Sequence, residues 1–122
     1  MSWIEAVLRA IAAQAHLPYG RSKEGSDVVE GATEQMDWRG EKILRKGDHV
    51  SCVYTVYETM MDAAKMLGFE DDITTEEIEE LKRWCFVYGD EYREGIGGGL
   101  EATGLGSLVD VADARAGDVA QI

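Results

Sequence analysis

The stretch SCVYTVYETMMDAAKML, which runs from Ser51 to Leu67, decides the fold of this chain. Its apolar side chains recur every three or four positions, which is the spacing of one face of an α-helix. They are Val53, Val56, Tyr57, Met60, Ala63, Ala64 and Leu67. Gly68 follows and stops the pattern, as glycine commonly does after a helix. The stretch therefore predicts a helix over Ser51–Leu67 that is buried in the core.

Two further helices are predicted from capping signals on either side of this one. Ser2 and Glu5 have the spacing of a capping box, and so do Thr74 and Glu77. The first box opens a helix over about Trp3–Ala15, with apolar residues at Ile4, Leu8, Ile11, Ala12 and Ala15. The second opens a helix that closes at Gly89, with an apolar face of Ile78, Leu81, Trp84, Cys85 and Tyr88.

The remaining segments carry weaker signals. Residues 21–48 are polar and punctuated by glycine, which predicts a long ordered loop with one short helical turn. Gly95–Gly106 predicts a glycine-rich turn into a short helix near Leu100–Thr103, and Asp110–Asp118 predicts a turn with an acidic rim. Val119–Ile122 has strand character. Together these segments predict one α+β domain over residues 1–122, with helices followed by the first strand of an antiparallel sheet.

The charge of the chain argues against several classes of partner. Its 122 residues hold 24 acids and 12 bases, a net charge of −12. Such a chain repels nucleic-acid phosphates and anionic membrane surfaces, and it has no basic stripe to offset that repulsion. We also find no apolar run of membrane-spanning length and no signal-peptide pattern at the N-terminus. Two cysteines do not make a disulfide framework, so we expect a reduced, cytoplasmic setting.

Cys52 is the residue best placed to carry chemistry. A thiol acts as a nucleophile only when it is deprotonated, and the N-terminus of a helix favours the thiolate. The N–H groups at the same helix end are suited to hold the oxyanion that forms when a carbonyl is attacked. Cys85 instead lies beside Trp84 and Phe86 on a packing face, so we interpret it as a core residue. On position alone, a structural role is the commoner one for a cysteine such as Cys52.

Three short motifs, taken in order, resemble those of the NlpC-like superfamily of papain-fold cysteine hydrolases. Leu17–Gly20 is similar to the hydrophobic-Pro-Tyr motif of that superfamily, and His49–Val53 to its nucleophile segment. Ala114–Val119 resembles its Pro-Gly-Asp-hydrophobic turn into the first strand. The chain departs from the usual pattern at Ser51, where Asp is common, at Val53, where Ser is common, and at Ala116, where Pro is common.

The resemblance implies a hydrolase that forms an acyl-enzyme on Cys52, with a small-molecule or peptide acyl compound as the substrate. It places Tyr19 near the nucleophile and implies a base histidine on the strand after the Gly-Asp turn, outside this chain. His49 and Ser51 flank Cys52 and, with Val53, are candidate supporting residues. We further expect a second polypeptide or symmetry mate to complete the sheet next to Val119–Ile122.

A different class of function stays open. The sequence is also compatible with a non-catalytic helical module for protein interaction, or with one subunit of a cleaved complex. No cofactor or metal is expected: Asp48, Asp110, Asp113 and Asp118 do not have the spacing of an EF-hand loop, and no Cys/His cluster suits zinc. The run Gly97–Gly99 lacks the Lys and Ser/Thr of a phosphate-binding loop.

Overall fold

A computed structural model describes residues 1–20, 31, 33–85 and 95–120 of the chain. Its elements are α1 (Trp3–Gln14), β1 (Met36–Trp38), β2 (Glu41–Leu44), α2 (Cys52–Met66), α3 (Thr75–Cys85) and α4 (Gly95–Ala102). Single 3₁₀ turns occur at Phe69–Asp71 and Val111–Asp113. The two strands form an antiparallel pair, so the described part of the chain is a mixed α and β fold that is mainly helical.

Helix α2 forms the centre of the core, as its periodicity predicts. Tyr57 is fully buried and donates its hydroxyl to the Ile78 carbonyl of α3 at 3.0 Å. The buried cluster around it combines α2 with the hairpin, α3 and α4, and comprises Met36, Trp38, Ile43, Leu44, Tyr57, Met60, Met61, Ala64, Ile78, Leu81, Cys85 and Ile96. The predicted burial of this helix is therefore confirmed, although Val56 stays 37% exposed.

Both predicted capping boxes are present. At α1 the Glu5 N–H donates to Ser2 Oγ at 3.2 Å, and the Ser2 N–H donates to Glu5 Oε2 at 3.0 Å. Thr74 and Glu77 make the same reciprocal pair before α3, at 3.2 and 3.1 Å. These local hydrogen bonds satisfy N–H groups that the first turn of a helix leaves unpaired. The predicted closure of α3 at Tyr88 and Gly89 lies outside the described residues.

A β-hairpin replaces part of the predicted loop over residues 21–48. Its two central residues, Arg39 and Gly40, have φ values of 49° and 82°, as in a type I′ turn. The unusual backbone of Arg39 is stabilised by its side chain, because Nε donates to the Glu70 carbonyl at 2.6 Å and Nη2 to the Asp71 carbonyl at 3.0 Å. The loop prediction was wrong over Met36–Leu44 because the strands are short and their turn is held by residues distant in sequence.

The glycine-rich segment is also different from its prediction. The helix predicted near Leu100–Thr103 is present but begins at Gly95 and ends at Ala102, so the turn predicted before it was wrong. A Cβ placed on Gly99 would lie 2.5 Å from Trp84 Cβ and 2.9 Å from Leu81 Cδ1. Glycine at position 99 therefore lets α4 pack very closely on α3, which a propensity argument does not anticipate.

The end of the chain does not form the predicted strand in the residues described. Val119 and Ala120 lie outside any strand, and the rest of that prediction, Gln121 and Ile122, falls outside the described part of the chain. Val119 instead packs against the core cluster. The predicted turn before it is present, since Asp118 accepts the Arg115 N–H on Oδ2 at 2.8 Å.

Candidate functional site around Cys52

Cys52 is the first residue of α2 and is exposed. Ser51 before it is the N-cap, with extended backbone angles of φ −146° and ψ 157°, and is itself buried. The Ser51 N–H donates to Thr55 Oγ1 at 2.9 Å, which fixes the entry of the chain into the helix. The thiol is thus accessible at the end of a 15-residue helix whose first N–H groups lack intrahelical partners.

The segment around Tyr19 lies beside this helix start. Tyr19 and Val50 form an isolated parallel β-bridge. The Val50 N–H donates to the Pro18 carbonyl at 2.9 Å, and the Gly20 N–H donates to the Val50 carbonyl at the same distance. The structure therefore brings together Leu17–Gly20 and His49–Val53, two of the three motifs found in the sequence. The Tyr19 side chain is 73% exposed at this junction.

His49 is held on the same junction. Its Nδ1 lies 3.1 Å from Asp48 Oδ1, and its ring packs against Gly20. The Asp48 side chain is 92% exposed while that of His49 is 15% exposed. His49, a candidate supporting residue, therefore lies three positions before Cys52 on the segment that pairs with Pro18 and Gly20. Val53 is the second residue of α2, and its side chain lies outside what the structure describes.

The third motif lies at the other end of α2. Gly117 accepts a hydrogen bond from Trp3 Nε1 at 3.0 Å, and Trp3 stacks on Phe69 just after α2, with ring centroids 6.5 Å apart. Since the 15 residues of α2 span about 22 Å, the Gly-Asp turn is separated from Cys52 by roughly the length of that helix. The structure does not bring this motif to the nucleophile.

The other cysteine has a different environment. Cys85 is the last residue of α3 and is only 8% exposed. Burial raises the pKa of its thiol to about 12, because a thiolate loses hydration in an apolar surrounding. Cys85 is therefore protonated at neutral pH, as expected for the core residue predicted from its sequence context.

Sequence reasoning missed two carboxylic acids on α2. Glu58 is 1% exposed, and its Oε1 lies against Gly31. Asp62, one turn later, has its pKa raised to about 6 by burial, with nearby Lys65 acting in the opposite direction. Their spacing of four residues places them on one side of the helix. That spacing was the available signal, but it did not distinguish a buried acidic face from a solvated one.

Comparisons with known proteins add no relatives to this description. No protein-family model, curated protein or solved structure matches the chain. Among the described residues, none of the helices is long and apolar enough to cross a membrane. Within the same residues, no group of three or more His, Cys, Asp or Glu side chains is placed to hold a metal ion.

Proposed function

We propose that this chain supplies the nucleophile of an NlpC-like, papain-fold thiol hydrolase, with Cys52 as the catalytic residue. The substrate class is an amide, peptide, ester or thioester carbonyl. The observation that carries the proposal is the position of Cys52: an exposed thiol at the first residue of α2, beside the paired backbones of Val50 and Pro18. An exposed thiol at this place has both access to a substrate and helix N–H groups within its own turn.

The chemical step follows from that placement. The Cys52 thiolate attacks the carbonyl carbon, a C–S bond forms, and the carbonyl electrons move onto oxygen. The N–H groups at the start of α2 stabilise this oxyanion. The base histidine has taken the proton of the Cys52 thiol, and when the oxyanion collapses it gives this proton to the leaving group as the C–N, C–O or C–S bond breaks. Water then cleaves the acyl-enzyme, which releases the acid and restores the thiol.

The base in this proposal is a histidine outside residues 1–122, on further polypeptide or on a second chain. This placement follows the resemblance to the superfamily. Of the described histidines, His49 has its Nδ1 3.1 Å from Asp48 Oδ1 and its ring on Gly20, and His16 is exposed after the end of α1. Tyr19 takes a supporting role as an exposed aromatic side chain on the segment paired to Val50.

A matched pair of cysteines tests the nucleophile. The wild-type chain and the double variant Cys52→Ala/Val56→Cys each carry one accessible thiol on α2, one turn apart, since Val56 is 37% exposed. We expect Cys52 to react with iodoacetamide at neutral pH roughly tenfold faster than the cysteine introduced at position 56, because only Cys52 lies at the helix N-terminus. Each chain is then incubated with a small aryl thioester, and the acyl adduct is located by intact and peptide mass.

The outcome of the second measurement decides the proposal. The proposal is supported if the acyl adduct accumulates on Cys52 of the wild-type chain and not on the cysteine at position 56 of the variant. Accumulation is expected because the base histidine is needed to hydrolyse the adduct and not to form it. Equal reaction at positions 52 and 56 contradicts it, since the thiol would then be merely exposed.

One observation favours the second candidate function, a non-catalytic interaction module. Leu8 and Ile11 on α1 are 57% and 47% exposed, which leaves an apolar helix face available for a protein partner. Such a module would need no thiol chemistry, so equal reaction at positions 52 and 56 is the result that would favour it over the hydrolase.

A further inference from the structure

Most of the apolar face of α1 points away from the core, although Ile4 is half-buried, with its Cδ1 3.8 Å from where a Cβ on Gly117 would lie. Its sequence pattern places Ile4, Leu8, Ile11, Ala12 and Ala15 on one side of the helix. The buried side is instead formed by Ala6, Ala10 and Gln14. Leu8 and Ile11 are 57% and 47% exposed, and Ala12 and Ala15 are exposed as well. We call the exposed set of Leu8, Ile11, Ala12 and Ala15 the outer face of α1.

The packing of α1 on α2 explains why this face cannot turn inward. Ala6 and Ala10 are small, which lets the two helices approach closely, and Gln14 Nε2 donates to Thr59 Oγ1 of α2 at 3.0 Å. Rotation of α1 to bury Leu8 would break this buried hydrogen bond and expose the alanine contact. The orientation of the helix is therefore fixed, and the outer face is a stable part of the surface.

The charge around α1 differs from that of the rest of the chain. Residues 1–20 hold one acidic residue, Glu5, and one basic residue, Arg9, of the 24 acids and 12 bases present. The whole net charge of −12 consequently lies on the remainder of the chain. A second copy of the same chain would meet strong repulsion elsewhere, but α1 offers it a locally neutral, apolar surface.

We propose that the chain forms a homodimer in which the outer faces of two α1 helices pack antiparallel around a twofold axis at Leu8. An antiparallel pair centred there places Leu8 against its own copy, and the exposed part of Ile4 opposite the small side chain of Ala12. Glu5 and Arg9 lie on one flank of the outer face, and the twofold axis brings Glu5 of each copy near Arg9 of the other. Their charges are therefore complementary across the interface.

The size of the helix sets the strength of this dimer. One face of a 12-residue helix gives an interface at the small end of specific protein contacts. We expect a dissociation constant on the order of 10 µM. Because each copy carries a net charge of −12, added salt screens the overall repulsion and should tighten the dimer, whereas two exposed Glu–Arg pairs contribute little.

Sedimentation of the purified chain tests the proposal. The concentration runs from 2 to 200 µM, which is roughly fivefold below to twentyfold above the expected dissociation constant. The wild type should pass from monomer to dimer, and Leu8→Glu should weaken association at least tenfold. Val111→Glu is the matched control, because Val111 is 94% exposed in a 3₁₀ turn outside α1 and the charge change is the same. A wild type that stays monomeric, or a dimer that both variants weaken equally, would overturn the proposal.

Disulfide trapping tests the twofold axis directly. In a Cys52→Ser background, and with dissolved oxygen as the oxidant, two Leu8→Cys chains should form a disulfide-linked dimer, because the axis places position 8 against itself. Val111→Cys in the same background should still associate but should form no covalent dimer. If both variants formed a covalent dimer to the same extent, the cross-link would be explained by random collision. Failure of Leu8→Cys to cross-link would count against the twofold arrangement.

Discussion

The imidazole ring of His49 lies directly over the backbone of Gly20. A Cβ placed on Gly20 would be 2.8 Å from His49 Cδ2 and 2.9 Å from Cγ, closer than such atoms pack. Through this contact and the backbone hydrogen bonds between Gly20, Val50 and Pro18, the segment after α1 supports the entrance to α2. The geometry at Cys52 therefore depends on a glycine that lies 32 positions earlier in the chain.

Gly20→Ala should disturb this entrance. The added methyl group forces the His49 ring to move, so we expect the free energy of unfolding in urea to fall by about 1–2 kcal/mol. The rate of Cys52 alkylation should change in the same variant, because His49 leads into Ser51 and the helix start. His49→Ala in the Gly20→Ala background should restore most of the loss. Additive free energies in this double-mutant cycle would show that the two residues do not interact.

The two cysteines should differ sharply in native alkylation. The labelling is done at pH 7.5, which lies between neutrality and the usual thiol pKa near 8.5. Iodoacetamide should then label Cys52 and leave Cys85 unmodified, because burial raises the pKa of Cys85 to about 12. Cys85 should become reactive only in urea, when α3 opens. Peptide mass mapping of labelled protein measures both sites. Equal labelling of the two cysteines in the native chain would mean that the end of α3 opens readily.

Asp62 should make stability depend on pH. Burial raises its folded-state pKa from 3.8 to about 6, so the folded chain binds a proton that the unfolded chain releases between these values. Stability therefore falls as pH rises from about 4 to about 6 and is constant above that range. Asp62→Asn should remove this fall and raise the free energy of unfolding at pH 7 by about 1–2 kcal/mol.

Urea unfolding at several pH values measures this effect, with Glu101→Gln as the control. Glu101 is an exposed acid on α4, so its substitution should leave the pH profile unchanged. The two pKa values of Asp62 set a window between pH 4 and 6. If stability still falls across this window in Asp62→Asn, another group is responsible for the titration.

The elements that could be predicted from the sequence are those set by local rules. Helix α2 follows from its own apolar period, and the starts of α1 and α3 from hydrogen bonds between residues three positions apart. The hairpin could not be predicted in this way, since Arg39 is held in its turn by carbonyl groups of Glu70 and Asp71. The orientation of α1 was equally hidden, because Gln14 finds its partner on another helix.

The same distinction applies to the candidate site. The position of Cys52 at a helix start could be predicted, because α2 has a strong pattern. The pairing of Val50 with Pro18 depends on how α1 packs on α2, which no local pattern encodes. The raised pKa of Asp62 depends likewise on the surroundings of α2 and not on neighbouring residues alone.

Gly99→Ala should separate α3 from α4. The new methyl carbon would lie 2.5 Å from Trp84 Cβ, an atom fixed by the α3 backbone, so the helices themselves must shift. Alanine normally favours a helix over glycine by about 1 kcal/mol, and the clash opposes this gain. We expect a net loss of roughly 2 kcal/mol in the free energy of unfolding, measured in urea by the helical circular-dichroism signal.

An exposed position on the same helix separates packing from helix propensity. Glu101→Ala also places alanine on α4, but its side chain faces solvent, so stability should change by less than about 0.5 kcal/mol. A Gly99→Ala variant that is more stable than the wild type would show that propensity outweighs the contact with Trp84. In that case the glycine run would not be needed for close packing, and α4 would be joined to the core by Ile96, which is buried in the same cluster, and by Leu100, which packs against it.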